Sequence, residues 1–507
     1  LYYAELPEGV LFGSEIKALI RHPGLPRELD LPALHYHLAY IWTPAPRTLL
    51  RAVRKLPPGE CMLLRGARVE RQWRYWEVPF GREPLAGSEA EVVERVRTEV
   101  EGAVRRQLMA DVPVGAFLSG GLDSSAIVAM MKRALPDARP VCYTIHFGGG
   151  GRIEGNVLDL PYAQLAADAL DVELRVVDVR PNVVHELERL VWALDEPQAD
   201  LAPMNALLIA EAARADGIPV LLSGTGGDDL FAGYRRHRAL HLERFWSWLP
   251  APARRGLGRS ARAAADGRGG AMSTTWVRRA VKAFVAADRS PDERLAAYLW
   301  WNEDGLRRSL YSPELAAATA GEATASPLVN TLAQLPAGTD RLDRMLWLEL
   351  QHFLGDHNLN YTDKTGMAAS VEVRVPLLDL ELVELASRIP AGLKQRGPGG
   401  KYALRRAMEG VLPPAILSRP KTGFGVPLRR WLREDLREYV GDVLSPASLH
   451  GRGLFEPRAV DRLLRLDRAG RVDGAFTILA LLCVELWCRQ FVDGDTPAAR
   501  LAEPMRA

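Results

Sequence analysis

Cysteine is scarce in this sequence. Its 507 residues include four, which are Cys61, Cys142, Cys483 and Cys488. No two of them form a Cys-x-x-Cys pair, so the sequence indicates neither a disulfide framework nor a structural zinc site. Few and scattered thiols fit a reducing compartment, and we expect a cytoplasmic protein.

Long apolar runs and an excess of one charge are also missing. The longest apolar run, residues 476–484, falls short of the roughly 18 residues that span a bilayer and is typical of a buried helix. The formal net charge of +2 gives no general attraction to nucleic acid or to a membrane surface. We therefore expect neither as a partner, and we interpret the basic stretch 251–268 as a solvated helix and loop.

The composition that remains is that of an ordinary globular protein. The sequence is 48% hydrophobic and 25% charged, and its 507 residues predict two or more domains. Residues 1–80 have the pattern of short strands and turns, residues 79–87 resemble a linker, and residues 88–495 form a second predicted domain.

Strand and helix patterns alternate in the first part of the second domain. We predict helices at 89–108, 160–169 and 204–215, and strands at 112–118, 141–147, 174–179 and 219–222. This alternation predicts an α/β fold with a doubly wound parallel sheet, and helices dominate after residue 234. Ligands of such sheets lie beyond the carboxyl ends of the strands, where Ser119 and Ser223 fall.

A glycine loop follows the first of these strands and reads Ser-Gly-Gly-Leu-Asp-Ser-Ser from Ser119 to Ser125. Its two glycines let the backbone approach a charged group, and Ser124 or Ser125 can cap the next helix, whose free amides attract an anion. Asp123 is a candidate Mg²⁺ ligand, because magnesium prefers carboxylate and phosphate oxygens. No Gly-Lys-Ser/Thr follows, so this is not a Walker loop. A purely structural glycine turn is the alternative.

A second glycine loop follows the strand at 219–222. It reads Ser-Gly-Thr-Gly-Gly-Asp-Asp from Ser223 to Asp229. An Asp-Asp pair in a loop is often only a turn, but its place after a strand of the same sheet favours a phosphate and Mg²⁺ site.

The first loop resembles the pyrophosphate loop of the ATP pyrophosphatases, and with the second loop the chain is similar to the asparagine synthetase family of glutamine-dependent amidotransferases. Three later stretches, at 361–364, 367–379 and 419–425, strengthen the resemblance, which runs over essentially the whole chain. It implies a sheet like that of the adenine nucleotide alpha hydrolases with a helical C-terminal part. Residues 1–80 would be the β-rich remnant of an N-terminal nucleophile glutaminase domain.

The resemblance also implies ATP and Mg²⁺ as cofactors and assigns residues to them. The nucleotide would be held by Leu118, Ser119, Gly120, Gly121, Asp123, Ser124, Ser125, Ile145, Ser223 and Gly224. Asp123 and Asp228 would face the metal, and Ile145 would lie beside the adenine. Lys421 would contact the phosphates during adenylation, where a positioned cation lowers the barrier; without the resemblance it would pass for a surface lysine.

Position 225 departs from the family pattern. The best-characterised asparagine synthetases carry a glutamate there, implicated in forming the aspartyl-adenylate and in the attack of ammonia. Thr225 stays a candidate catalytic residue, although its hydroxyl is not a base at neutral pH. Two explanations remain open: Asp228 or Asp229 takes the role, or the substrate is a different acid. Arg374 also has two open roles, a clamp for an anion or a structural partner of Glu372 or Asp379, and we favour the structural one.

The amino-terminal part matches only the end of a glutaminase domain. The nucleophilic cysteine of that domain would lie upstream of Leu1, and Cys61 cannot replace it because it has no free α-amine. We therefore expect the chain as given to use free ammonia rather than glutamine, and to expose unpaired strand edges.

Together these features predict an ATP-dependent ligase that converts aspartate to asparagine through β-aspartyl-AMP, with ammonia from glutamine or from solution. A homodimer is the assembly that the resemblance implies. The rivals are an amidotransferase for another acid, such as a sugar acid of surface polysaccharides or the precursor of a β-lactam ring, and a non-catalytic ATP-binding scaffold. A tRNA-thiolating pyrophosphatase is disfavoured by the near-neutral charge.

Overall fold

The computed structural model describes residues 1–147, 152–153, 156–157, 159–179, 183–266, 284, 286–397, 399–421 and 426–494. Its amino-terminal elements are β1 (Tyr2–Leu6), β2 (Gly9–Gly13), α1 (Ile16–Leu19), α2 (Leu31–Tyr40), β3 (Arg54–Lys55), β4 (Glu60–Arg65) and β5 (Arg68–Arg74). β1 pairs with β2 and β3 in an antiparallel sheet, and β4 and β5 form a hairpin. The expected β-rich amino-terminal part is confirmed.

The next elements alternate as the sequence predicts. They are α3 (Glu89–Gln107), β6 (Val114–Phe117), α4 (Leu122–Ala134), β7 (Val141–Phe147), β8 (Arg152–Ile153), β9 (Asn156–Val157), α5 (Leu160–Leu170), β10 (Glu173–Val179), α6 (Val183–Leu194), α7 (Ala202–Ala215), β11 (Val220–Leu222), α8 (Gly227–Phe231), α9 (Arg235–Glu243), α10 (Ala251–Asp266) and, much later, β12 (Glu372–Arg374). Ser88 and Glu91 form a capping box that starts α3. Within the predicted basic stretch, positions 267 and 268 lie outside the described residues.

Five of these strands form one parallel sheet in the order β10-β7-β6-β11-β12. The α/β fold class with a parallel sheet is therefore confirmed. The chain first adds strands on one side of β6 and then crosses to the other side with β11. Between β6 and β11 the direction of strand addition reverses, and sheets of this kind bind ligands beyond the strand ends at such a point.

Helices dominate after the sheet, as predicted. Their bounds are Pro291–Ala297, Asp304–Arg308, Pro313–Ala318, Ser326–Leu332, Arg341–Leu348, Glu349–Leu359 (a π-helix), Asn360–Ala368, Pro376–Leu378 (a 3₁₀ turn), Leu380–Arg388, Ala391–Lys394, Tyr402–Ala407, Pro414–Leu417, Leu428–Arg433, Arg437–Val443, Pro446–Arg452, Pro457–Arg468, Ala475–Trp487 and Cys488–Val492 (a π-helix).

The apolar run near the carboxyl end belongs to a longer helix than the sequence run indicates. The helix covers Ala475–Val492, 18 residues with a mean hydropathy of 1.6, which is enough by length and composition to cross a membrane. However, 83% of this stretch is buried inside the protein, as in a core helix. Trp487 stacks on Phe491 within it.

The amino-terminal part packs firmly against the rest. The buried ammonium of Lys55 lies 2.7 Å from Glu196 and 3.1 Å from Asp356. Within the stretch 79–87, Phe80 and Leu85 are buried, and Phe80 meets Trp347 edge to face. The division into domains at 1–80 and 88–495 stays a prediction.

Candidate active site at the strand ends of the parallel sheet

The first glycine loop leaves β6 and turns sharply at Gly120. Leu118 is fully buried, and its N–H donates to the Tyr143 carbonyl of the neighbouring strand over 2.8 Å. Gly120 has a φ of +69°, and a β-carbon there would overlap the backbone of Tyr162. Glycine is therefore required at this position.

Serine side chains fix the shape of this loop from within. The Ser124 hydroxyl lies 3.2 Å from the Ser119 nitrogen and 3.1 Å from the Ser119 hydroxyl. Gly121 is the N-cap of α4, while Ser124 and Ser125 lie inside its first turns and are buried. The prediction that one of these serines caps the helix is wrong, because Gly121 already has the extended backbone of a cap and no side chain is needed there.

The second glycine loop is tied to the sheet and to itself. The Ser223 N–H donates to the Arg374 carbonyl of β12 over 2.8 Å. The Ser223 and Thr225 hydroxyls lie 2.9 Å apart, so the Thr225 side chain contacts its own loop. Gly226, with a φ of +95°, starts the short helix α8 that carries Asp228 and Asp229.

The two loops touch each other. A β-carbon on Gly224 would lie 2.8 Å from the Ser124 nitrogen and 2.9 Å from the Asp123 β-carbon. One on Gly227 would lie 2.6 Å from Asp123 Oδ1. The absence of side chains at these glycines lets the two loops form one continuous site at the reversal point of the sheet.

Lys401, which is not among the predicted site residues, joins the two loops. Its Nζ contacts a carboxylate oxygen of Asp123 and lies 2.6 Å from Asp228 Oδ1. Lys401 begins the helix Tyr402–Ala407 in the left-handed region, with a φ of +56°. A β-carbon on Gly233 would overlap the side chains of Lys401 and Asp228, and one on Gly400 would overlap the Ala232 carbonyl. The one sequence signal that could have pointed to Lys401 as a site residue is the glycine pair, Gly399 and Gly400, directly before it.

Lys421 lies on the open side of the same cluster. Its ammonium contacts Asp228 and stands 5.8 Å from the centre of the Tyr234 ring. The segment that carries it is held by Arg419, which donates to the Ser119 carbonyl over 2.7 Å. The rest of this predicted motif, positions 422–425, lies outside the described residues.

The two carboxylates that share Lys401 differ in their pKa. Burial raises the pKa of Asp123, and the charge of Lys401 only partly offsets this. Burial also acts on Asp228, but Lys401 and Lys421 together hold the pKa of Asp228 well below its usual range. Asp228 is therefore ionised at any physiological pH.

Asp229 has the opposite environment. It is fully buried, the Tyr234 hydroxyl donates to its Oδ2 over 3.1 Å, and its Oδ1 has no hydrogen-bond partner in the part of the chain that the structure describes. Burial, followed by the charges of Glu349 and Asp228, raises the pKa of Asp229 to about 7. A buried carboxyl with such a pKa can exchange a proton near neutral pH.

The donor set fits a magnesium ion that is also held by phosphate oxygens. Asp123 Oδ1 is buried without a hydrogen-bond partner among the described residues, and Asp228 lies across the shared lysine. No group of three or more His, Cys, Asp or Glu side chains within the described ranges could hold a metal ion by itself. Two carboxylates that need phosphate oxygens to complete the shell are typical of Mg²⁺ sites.

Two further predicted residues lie nearby with different roles. Ile145 is buried in β7, two positions beyond Tyr143, whose carbonyl receives the Leu118 N–H. Arg374 donates to the Gln107 and Met109 carbonyls over 2.7 and 2.8 Å and pairs with Glu372. These contacts give Arg374 a structural role.

The fold and these contacts define a doubly wound α/β protein with a charged site between two glycine loops. The sequence profile of the Asparagine synthase family matches residues 95–489, and that of the Glutamine amidotransferase domain matches residues 1–76. The chain belongs to the asparagine synthase family.

Similar proteins are found in bacteria and fungi. A Mycobacterium tuberculosis protein, provisionally named asparagine synthetase (glutamine-hydrolysing), is 32% identical over 99% of this chain and 74% of its own. Asparagine synthetase (glutamine-hydrolysing) 1 of Bacillus subtilis is 29% identical over 96% of this chain and 73% of its own. Amidase chyE of Penicillium rubens is 27% identical over 90% and 70%. These relationships support a ligase that amidates a carboxylate with ATP and takes nitrogen from glutamine or ammonia.

Proposed function

We propose that this protein activates the side-chain carboxylate of aspartate with ATP and converts it to the amide of asparagine. A carboxylate oxygen attacks the α-phosphorus of ATP, which gives β-aspartyl-AMP and releases pyrophosphate. Ammonia then attacks the acyl carbon, the bond to AMP breaks, and the nitrogen loses one proton.

The contact between the two glycine loops is the observation that carries this proposal. It gathers Asp123, Asp228, Lys401 and Lys421 at the reversal point of the sheet. Lys421, on the open side, is suited to offset the negative charge that grows as the α-phosphorus is attacked. Asp123 and Asp228 would hold Mg²⁺, which when bound neutralises phosphate charge.

The proton that leaves the nitrogen needs an acceptor. Thr225 offers none, and Asp228 is a weak base because two lysines hold it ionised. Asp229, with a pKa of about 7, is the better-matched carboxyl within the same loop. We therefore assign the role that Thr225 cannot fill to Asp229, with the Tyr234 hydroxyl as its hydrogen-bond partner.

A pyrophosphate-release assay tests the proposal. The full chain is incubated with MgATP, aspartate and ammonium chloride, and AMP, pyrophosphate and asparagine should form in equal amounts. A parallel arm with glutamine tests the nitrogen source. ATP binding without AMP formation for any acid would instead favour a non-catalytic scaffold.

One observation favours an acid other than aspartate as the substrate: position 225 carries the hydroxyl of threonine and no carboxylate. The fungal relative named as an amidase points in the same direction. Screening sugar acids and amino-acid analogues for pyrophosphate release would reveal such a substrate, and no release with aspartate would then exclude asparagine synthesis. The cytoplasmic location and the homodimer stay predictions.

A further inference from the structure

Arg405 lies one helical turn beyond Lys401. The helix Tyr402–Ala407 carries it, and the Arg405 N–H donates to the Lys401 carbonyl over 2.8 Å. Lys401 itself is the N-cap, with a left-handed backbone, and its side chain reaches both loop carboxylates. The amino end of this helix, where the backbone of Arg405 is bonded to that of Lys401, therefore lies at the contact between the loops.

The guanidinium of Arg405 is half-buried and has no ion pair or hydrogen bond among the residues that the structure describes. Its neighbour differs: Arg406 is exposed and pairs with Glu409 over 2.5 Å. Burial lowers the pKa of Arg405, and the charge of Asp123 opposes this. A desolvated cation without a partner is costly, so an anion from outside the chain would be bound favourably there.

The balance of charge around the loops leads to the same conclusion. Lys401 and Lys421 already balance the two carboxylates, Asp123 and Asp228. Arg405, on the helix that Lys401 begins, is therefore a positive charge in excess of these two carboxylates. A guanidinium presents a planar pair of donors that matches two phosphate oxygens.

We propose that Arg405 binds the phosphate chain of the nucleotide and positions it against the first glycine loop. This inference rests on the proposed function for the identity of the nucleotide. Arg405 would then be a nucleotide-binding residue that the sequence motifs do not predict.

The test compares Arg405→Gln and Arg405→Lys with Arg406→Gln, an exposed arginine on the same helix, in the full chain. Calorimetry measures the affinity for MgATP and for magnesium pyrophosphate without any acid substrate. We expect Arg405→Gln to weaken both by about tenfold or more, which is the loss of one charge-assisted contact. The affinity of Arg405→Lys should lie between those of Arg405→Gln and the native protein, and the affinity of Arg406→Gln should stay within about twofold of the native value.

Thermal unfolding without ligand separates this role from a structural one. Because Arg405 has no described partner, Arg405→Gln should unfold at or above the native temperature, whereas loss of a structural contact would lower it. An affinity within about twofold of native in Arg405→Gln, or a lower unfolding temperature with a matching loss of affinity, overturns the inference. If the native protein itself binds neither ligand, the proposed function fails as well.

Discussion

Replacing Asp229 by asparagine should change how the stability of the protein depends on pH. The pKa of this buried carboxyl is raised from 3.8 to about 7, so the folded state binds its proton more tightly than the unfolded state does. The contribution of Asp229 to the free energy of unfolding is therefore highest below pH 4. This contribution falls as the pH rises and reaches its lower limit above pH 7.

The size of this effect follows from the shift. One pKa unit is worth about 1.4 kcal/mol, so a shift of roughly three units costs the folded state about 4 kcal/mol across the whole window. About 3 kcal/mol of this should fall between pH 5 and pH 8. The Asp229→Asn side chain carries no charge at any pH, so the variant should lack this decline. If the new amide group has no hydrogen-bond partner, the free energy of unfolding of the variant is lower by an amount that does not vary with pH.

Urea denaturation at several pH values, followed by tryptophan fluorescence, measures the difference between the two proteins. The variant should gain stability relative to the native protein as the pH rises. Asp228→Asn is the matched control, since Lys401 and Lys421 lower the pKa of Asp228. That substitution should destabilise the protein at neutral pH, and its deficit should shrink only in strong acid. Parallel pH profiles for the native protein and Asp229→Asn would refute the assigned environment.

Three further substitutions test contacts in the site and elsewhere in the fold. Gly224→Ala puts a β-carbon 2.8 Å from the Ser124 nitrogen, so we expect MgATP affinity by calorimetry to fall about tenfold or more. Lys364→Met removes one of two lysines that pair with the fully buried Asp195, and because Lys17 remains 2.8 Å from this carboxylate, we expect a cost of about 1.5–3 kcal/mol in urea denaturation. Lys421→Ala should slow pyrophosphate release about 100-fold to 1,000-fold while ATP affinity changes little.

The local structure of the two glycine loops and of the sheet could be predicted from the sequence. A buried strand followed by glycines and a helix is encoded within a few residues, so both loops and most helices and strands of the sheet have nearly the expected bounds. One local prediction was wrong: no serine caps α4, because Gly121 is its N-cap and has an extended backbone. β12 was missed because three residues, Glu372–Arg374, are too few to show a period.

Contacts between distant parts of the chain could not be predicted in this way. Lys401 is 278 positions from Asp123, and nothing in the sequence near either residue indicates that they meet. The pKa of Asp229 depends likewise on Glu349, which lies far along the chain. Charges that decide the chemistry of a site are set by packing, and a single sequence carries no record of which helix packs on which loop.

The two adjacent aspartates of α8 show how packing can divide one sequence motif into two functions. Asp228 faces two lysines and stays ionised, which suits it to hold a cation beside phosphate groups. Asp229 points into buried surroundings with an added negative charge, and its pKa of about 7 suits it to take up a proton and release it. Opposite pKa shifts in neighbouring carboxyls mark an acid–base assignment in enzyme sites. A chain with threonine at position 225 can therefore keep a base in the same loop, because the second aspartate, unlike the first, has no lysine beside it among the positions that the structure describes.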